Sequence, residues 1–465
     1  MAAPVLTHIH FALILPWLVI RRTVKYHAHG PPHPAWGLFL DLVCSSARLY
    51  FSLAQRHMRE VILEDDIQAP PTPGDDTPQF NEDAWRPKPY AHKFAGVGTR
   101  VEPVRLRAVA DEWRRGVALV GAPFVRAVDV PGFWVVRDSE GSDVPAESPA
   151  RDGEKVIMYL PGGGIHPMTS PVSYGLALAT NLRVLTVTYR SAKSSSSAFP
   201  AQLLDALAGY VHLISLGFRP SDVILVGESA GAFAILALMR YLGELRADAS
   251  SSVRPGMVGA VALVSPACNL SRFDHPEIET DYRLPYYRKH TVPALARHFD
   301  LEHLHESLYF SPALARPEQH AFAHLLPSSS PSSPSEGEKV AGGAEESDDS
   351  ESKPVDVWVQ YSDCELFADD MRRLVEAMRA DGVHVRHDEV WGGLHADAII
   401  KRSVKLAGAG VRREIRRRVW PWGTKTAVQL EKEIEEGDGS WARLVKVVKE
   451  MARTQHEEPS SDRTL

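Results

Sequence analysis

The chain has 465 residues, with 52 Lys and Arg against 59 Asp and Glu, for a formal net charge of −7. That balance excludes the basic surface of a nucleic-acid binder, while the length allows one large core plus appendages. Three cysteines, Cys44, Cys268 and Cys364, are too few and too scattered for a disulfide framework or a zinc site, which fits a reducing, cytoplasmic compartment.

Residues 5–20 are largely apolar, interrupted by His8, His10 and Pro16 and closed by Arg21 and Arg22. The stretch is short for a membrane span and lacks the basic leader and small-residue cleavage site of a signal peptide. If it inserted, positive charge on its carboxyl side would leave the body cytosolic. A second apolar patch, 36–51, has helical periodicity, with Asp41, Ser45, Ser46 and Arg48 on another face. Two readings of residues 1–68 stand side by side: an anchor that makes a membrane surface a partner, or a pair of helices packed as a cap. Residues 69–100 read as a linker, rich in Pro, Asp and Thr over its first part.

Strand and helix patterns then alternate to about residue 410. Strands are expected at 133–136, 156–160, 184–189, 223–226, 258–265, 355–361 and 383–390, and helices at 201–216 and 369–380. This alternation predicts an α/β fold with a mostly parallel central sheet and helices on both faces. Residues 156–160 run into Pro161-Gly162-Gly163-Gly164, and three glycines straight after a strand leave backbone N–H groups free to face a ligand. Gly227-Glu228-Ser229-Ala230-Gly231 follows the apolar strand 223–226 and precedes the Ala- and Leu-rich helix pattern 232–239. Strand, sharp turn and helix is the context a nucleophile elbow needs, so Ser229 reads as a nucleophile rather than a helix-capping serine.

Residues 327–353 are a Ser, Pro, Glu and Gly run that buries too little to offset its ordering entropy, and read as a disordered surface insertion. Beyond the strand at 355–361, Asp363 and Glu365 are both candidates to orient a histidine. Asp369 and Asp370 belong to the negative first turn of the next helix. His395 lies in a glycine-bearing loop after the last strand, where the base of a triad in the order Ser, acid, His belongs. The tail, 411–465, carries Arg412, Arg413, Arg416, Arg417 and Arg418 beside Trp420 and Trp422. It reads as a basic helical segment with a solvated face, preferred over contact with an anionic membrane surface.

These motifs resemble the hormone-sensitive-lipase-like branch of the α/β-hydrolases, the α/β-hydrolase fold-3 family, and its fungal members most of all. The resemblance covers roughly residues 156–407 and is strongest at the elbow. It implies an α/β-hydrolase fold with a helical cap, and oxyanion-hole donors at Gly163, Gly164 and Ala230. Pro161 stands where the family has histidine. Tyr189-Arg190-Ser191-Ala192, Phe199-Pro200-Ala201 and Asp205 match a second family block, with Ser194 to Ser197 inserted, and Ser265-Pro266 a third. Family spacing, counted back from Asp369 and forward about thirty residues to His395, favours Glu365 over Asp363 as the acid. Residues 275–326, between two core strands, would supply a lid and a pocket for acyl or alcohol groups. The reaction implied is hydrolysis of carboxylic esters of small apolar acids or alcohols through an acyl-enzyme, with no cofactor and no metal. Amide or lactone hydrolysis, acyl cyclisation and a non-catalytic ligand receptor are the alternatives.

Overall fold

The computed structural model describes residues 2–64, 98–138, 145–163, 171–271, 279–281, 291–327, 353–400 and 439–453. Nearly all of the expected insertion at 327–353, most of the linker, the Arg- and Trp-rich part of the tail and much of the early lid region lie outside those residues.

Eight strands form one sheet. They are β1 (Thr99–Leu106), β2 (Val130–Arg137), β3 (Val156–Leu160), β4 (Arg183–Val187), β5 (Val223–Glu228), β6 (Ala260–Val264), β7 (Asp356–Ser362) and β8 (Val385–Val390), in the order β1-β2-β4-β3-β5-β6-β7-β8. β2 pairs antiparallel with both β1 and β4, and every other pairing is parallel. β3 and β5 are buried along their whole length, which is why they read as unbroken apolar runs: both faces are covered. Met158, Leu160 and Leu225 face α4 (Ala201–Ser215), α5 (Ala230–Ala247) and α6 (Ala368–Ala380). Ile157, Tyr159, Ile224 and Val226 face α3 (Pro171–Thr180) and α7 (Ser440–Ala452).

β1 and α3 were not anticipated, and α7 is placed differently from expectation. β1 alternates charged and apolar residues and carries Pro103, both tolerable because it is an edge strand. α7 lies in the segment expected as a solvated tail, yet Trp441, Leu444, Val445, Val448 and Met451 are buried on the second face of the sheet. Each such burial contributes about 1.5–3 kcal/mol, so the core extends well past residue 410. The basic cluster that suggested a solvated face is at 412–418, outside the described residues; α7 itself has a strongly apolar stripe.

The expected lid region, 275–326, is described only in part. Over 301–325 the chain forms single helical turns, and its apolar side chains, among them Phe310, Phe322 and Leu325, join the core beside α5 and α6. This segment packs on the first face of the sheet, within the long crossover from β6 to β7.

At the N-terminus α1 (Ala2–His29) and α2 (Leu38–Glu64) pack on each other. Gly30, at φ +81°, ends α1 with its N–H on the Tyr26 carbonyl, the conformation glycine adopts without strain. The turn between the helices sits on the body. Trp36 is 2 % exposed and donates from Nε1 to the Gly392 carbonyl at 2.9 Å. Cys44 packs with Trp36, Cys364 and Leu394, and Arg48 donates to the Asp281 carbonyl at 2.8 Å. Arg22 pairs with Asp41 inside the hairpin and with Glu279 outside it. No helix among the described residues is long and apolar enough to cross a membrane. The outer face of α1 nevertheless exposes Leu6, Ile9, Leu13, Trp17, Ile20 and Val24.

Candidate active site

Ser229 sits between β5 and α5 at φ +50°, ψ −113°, a backbone conformation a non-glycine residue holds only under constraint. Its neighbours explain the constraint. A Cβ on Gly227 would stand 2.6 Å from Ile235 Cδ1, and one on Gly231 would fall 2.0 Å from the Leu160 carbonyl oxygen. Strand, helix and glycine loop therefore cross at distances only glycine allows, and the turn lifts the serine hydroxyl clear of the sheet. Ala230 begins α5, so its N–H has no acceptor within the helix and points out of the helix N-terminus.

His395 Nε2 lies 3.0 Å from Ser229 Oγ, and its Nδ1 lies 2.5 Å from Glu365 Oε2. His395 and Glu365 are both buried. A carboxylate only accepts, so Nδ1 carries the proton and Nε2 is left to accept from the serine hydroxyl. Glu365 Oε1 in turn accepts the Ser362 N–H at 2.9 Å and the Ser265 hydroxyl at 2.6 Å. Ser265 Oγ also accepts the Ala396 N–H at 2.9 Å, so one side chain holds both Glu365 and the His395 loop. Family matching had marked Ser265 without assigning it this task.

Asp363 points elsewhere. Its Oδ1 accepts the Gly392 N–H at 2.7 Å, and its Oδ2 lies 3.2 Å from His33 Nε2 in the N-terminal turn. His33, Asp363 and Cys364 bring possible ligand atoms within 4.8 Å of one another. His33 Nδ1, however, accepts the Ala35 N–H at 3.1 Å, so Nε2 carries the ring proton and donates it to Asp363. A metal on Nε2 would need that proton on Nδ1, against a backbone N–H. Burial, reinforced by Asp363, pushes the Cys364 thiol up to about 12, which removes it as a nucleophile near neutrality.

The His395 loop is also tied to the far helix. Asp397 accepts the Leu394 N–H at 2.9 Å and the Ser440 hydroxyl at 2.5 Å, linking the loop to the start of α7. On the opposite side, Tyr189 donates to the Pro161 carbonyl at 2.5 Å. Arg190 and buried Asp205 pair at 2.7 Å and brace the segment that carries Tyr189. Gly162 N–H donates to Glu228 Oε1 at 3.0 Å, and burial pushes the Glu228 carboxyl up to about 7. Gly163 is exposed at the mouth of this loop, while Gly164 lies outside the described residues.

Residues 159–329 match a family model described as alpha/beta hydrolase fold. The chain is 36% identical over 101 residues to an acetyl-hydrolase of Streptomyces hygroscopicus, a match covering 21% of this chain and 33% of that protein. It is 30% identical over 145 residues to the esterase LipU of Mycobacterium tuberculosis, 30% of this chain and 45% of that protein. With the carboxylesterase/phospholipase LipF of the same species it shares 30% identity over 172 residues, 36% of this chain and 38% of that protein. The chain thus spans a third to just under half the length of these curated relatives. They are bacterial, and a fungal origin finds no support in them. A solved hormone-sensitive-lipase homologue from a metagenome library, EstE7, is similar at 16% identity and a TM-score of 0.45, over 70% of this chain and 90% of that one. With its sheet order, its elbow and the match over 159–329, this chain carries the α/β-hydrolase fold, and its central part is similar in sequence to esterases.

Proposed function

We propose that the protein is a serine esterase in which Ser229 is the nucleophile, His395 the general base and Glu365 the acid that orients it. The observation that carries this reading is the unbroken hydrogen-bonded line from Ser229 Oγ through His395 to Glu365, starting at a strained elbow. His395 takes the serine proton as Oγ attacks the ester carbonyl, and Glu365 stabilises the imidazolium that forms. The N–H groups of Gly163, Gly164 and Ala230 receive the negative charge on the former carbonyl oxygen. His395 then protonates the leaving alcohol, and water releases the acid from the acyl-enzyme by the same steps in reverse. This route uses only the chain's own groups, so no metal or organic cofactor is invoked.

The substrate proposed is a carboxylic ester of a small, apolar acid or alcohol. The names of the relatives, an acetyl-hydrolase and two esterases, point the same way. The α1–α2 hairpin acts as the cap, because it rests on the loops that bear the acid and the base. A receptor without catalysis has no need of a histidine held between serine and glutamate, and so is the weaker reading.

Fluorophosphonate labelling read by intact mass, with turnover of nitrophenyl esters of increasing chain length, tests the proposal. The wild type should gain one label and turn over short-chain esters, and Ser229→Ala should lose both while melting like the wild type. Labelling that persists in Ser229→Ala would place the nucleophile elsewhere and end this reading.

A further inference from the structure

Pro161 opens the glycine loop without an N–H, so its backbone can be tied there only through its own carbonyl and the following amide. The carbonyl accepts the Tyr189 hydroxyl, and the Gly162 amide donates to Glu228 Oε1 at 3.0 Å. Glu228 is the last residue of β5, bonded directly to Ser229, and is 1 % exposed. A Cβ on Gly162 would stand 3.0 Å from Glu228 Cγ and Oε1, so loop and carboxyl are in packing contact. The Tyr159 side chain, on β3, also bonds to this carboxyl, while Oε2 has no partner of good geometry among the described residues.

A buried carboxyl with an oxygen lacking a well-placed partner is unfavourable for folding, and an apolar residue of similar size would serve the core better. What the carboxyl adds is an acceptor aimed at the Gly162 amide. We infer that Glu228 is a positioning residue, holding Gly162 so that the next amide, of Gly163, stays aimed at the carbonyl oxygen of a substrate on Ser229. The inference rests on the esterase reading and deepens it: the residue preceding the nucleophile fixes the opposite wall of the oxyanion site, and acts on the reaction only through that wall.

Three substitutions test it, assayed with a short-chain nitrophenyl ester and with a trifluoromethyl ketone, which forms a hemiketal oxyanion on the serine. Glu228→Leu keeps the volume and removes the acceptor. It should lower kcat by about 10²- to 10³-fold, the scale of a lost oxyanion donor, with KM changed by less than about threefold. Ketone affinity should fall in step with kcat/KM, since both need the aligned amides; a merely structural role would not couple the two. Glu228→Gln keeps an acceptor oxygen and should stay within about tenfold of wild-type kcat. A cooperatively folded Glu228→Leu with kcat and ketone affinity unchanged would overturn the inference. If that variant does not fold, Glu228→Asp decides: its carboxyl is one methylene short of Gly162, and kcat must fall while KM holds. Wild-type kcat in Glu228→Asp would then overturn it. A wild type that neither labels at Ser229 nor hydrolyses esters would sink the esterase reading together with this inference. A wild type that does both while Glu228→Leu keeps full activity would sink this inference alone.

Discussion

Two carboxylates stand two residues apart after β7, and a tight turn sends them different ways. The Glu365 N–H bonds back to the Ser362 carbonyl, and Glu365 Oε1 takes the Ser362 N–H and the Ser265 hydroxyl, leaving Oε2 for His395. Asp363 is turned outward to Gly392 and His33. Glu365→Gln is therefore expected to lower kcat by about 10⁴-fold, because an amide in place of the carboxylate favours the wrong imidazole tautomer. Asp363→Asn should cost about tenfold or less, since it touches the loop and not the ring. Steady-state kinetics of both variants on one ester check this, and equal or reversed losses would show that the wrong carboxylate carries the role. The spacing of the family the chain resembles was enough to prefer Glu365. Ser265 could not be read that way, because its partners lie 100 and 131 residues further on, and only the parallel alignment of β6 and β7 brings them together.

At the scale of elements, the α1–α2 hairpin is the one whose role was most ambiguous. Apolar runs at 5–20 and 36–51 predict helices, but an anchor and a cap share that pattern. The contacts that support the cap reading proposed above are made by single residues of the intervening turn: Trp36 on Gly392 and His33 on Asp363. Truncating Trp36, buried and hydrogen-bonded, should loosen the hairpin by about 3–5 kcal/mol. Trp36→Ala is then expected to make residues 2–64 more susceptible to limited proteolysis and to alter the chain-length preference for nitrophenyl esters. A variant with the wild-type cleavage pattern and the wild-type preference would argue that the hairpin does not cover the substrate. α7 teaches the complementary lesson. Its apolar stripe is legible once isolated, but the basic cluster just before it invited a solvated reading, and only packing on β5, β6 and β7 makes it part of the core.

Across the whole molecule, two groups buried far apart in sequence give stability opposite dependences on pH. Burial, helped by the charge of Arg240, lowers the pKa of His324 to about 4, so the unfolded chain takes up a proton that the native state refuses. Its contribution is lost as pH falls from about 6.5 towards 4. Glu228, pushed up to about 7, is protonated in the native state where the unfolded chain is already ionised, so its contribution is lost as pH rises from the ordinary carboxylate range to about 7. The two offset each other over the overlapping window. His324→Gln should leave a protein that gains stability towards acid there, and Glu228→Gln one that loses it. Melting temperatures from pH 4.5 to 7 check both, and parallel curves for the two variants would refute the assignment. What the sequence alone determined is what short-range physics encodes: apolar runs for the buried strands, glycines where backbones must cross, and a serine set at a sharp turn between strand and helix. Tertiary structure decided which surfaces those elements meet. The edge strand β1, the seat of the hairpin, the burial of α7 and the grip of Glu228 on Gly162 all depend on contacts across tens to hundreds of residues, and no local pattern records a partner that far away.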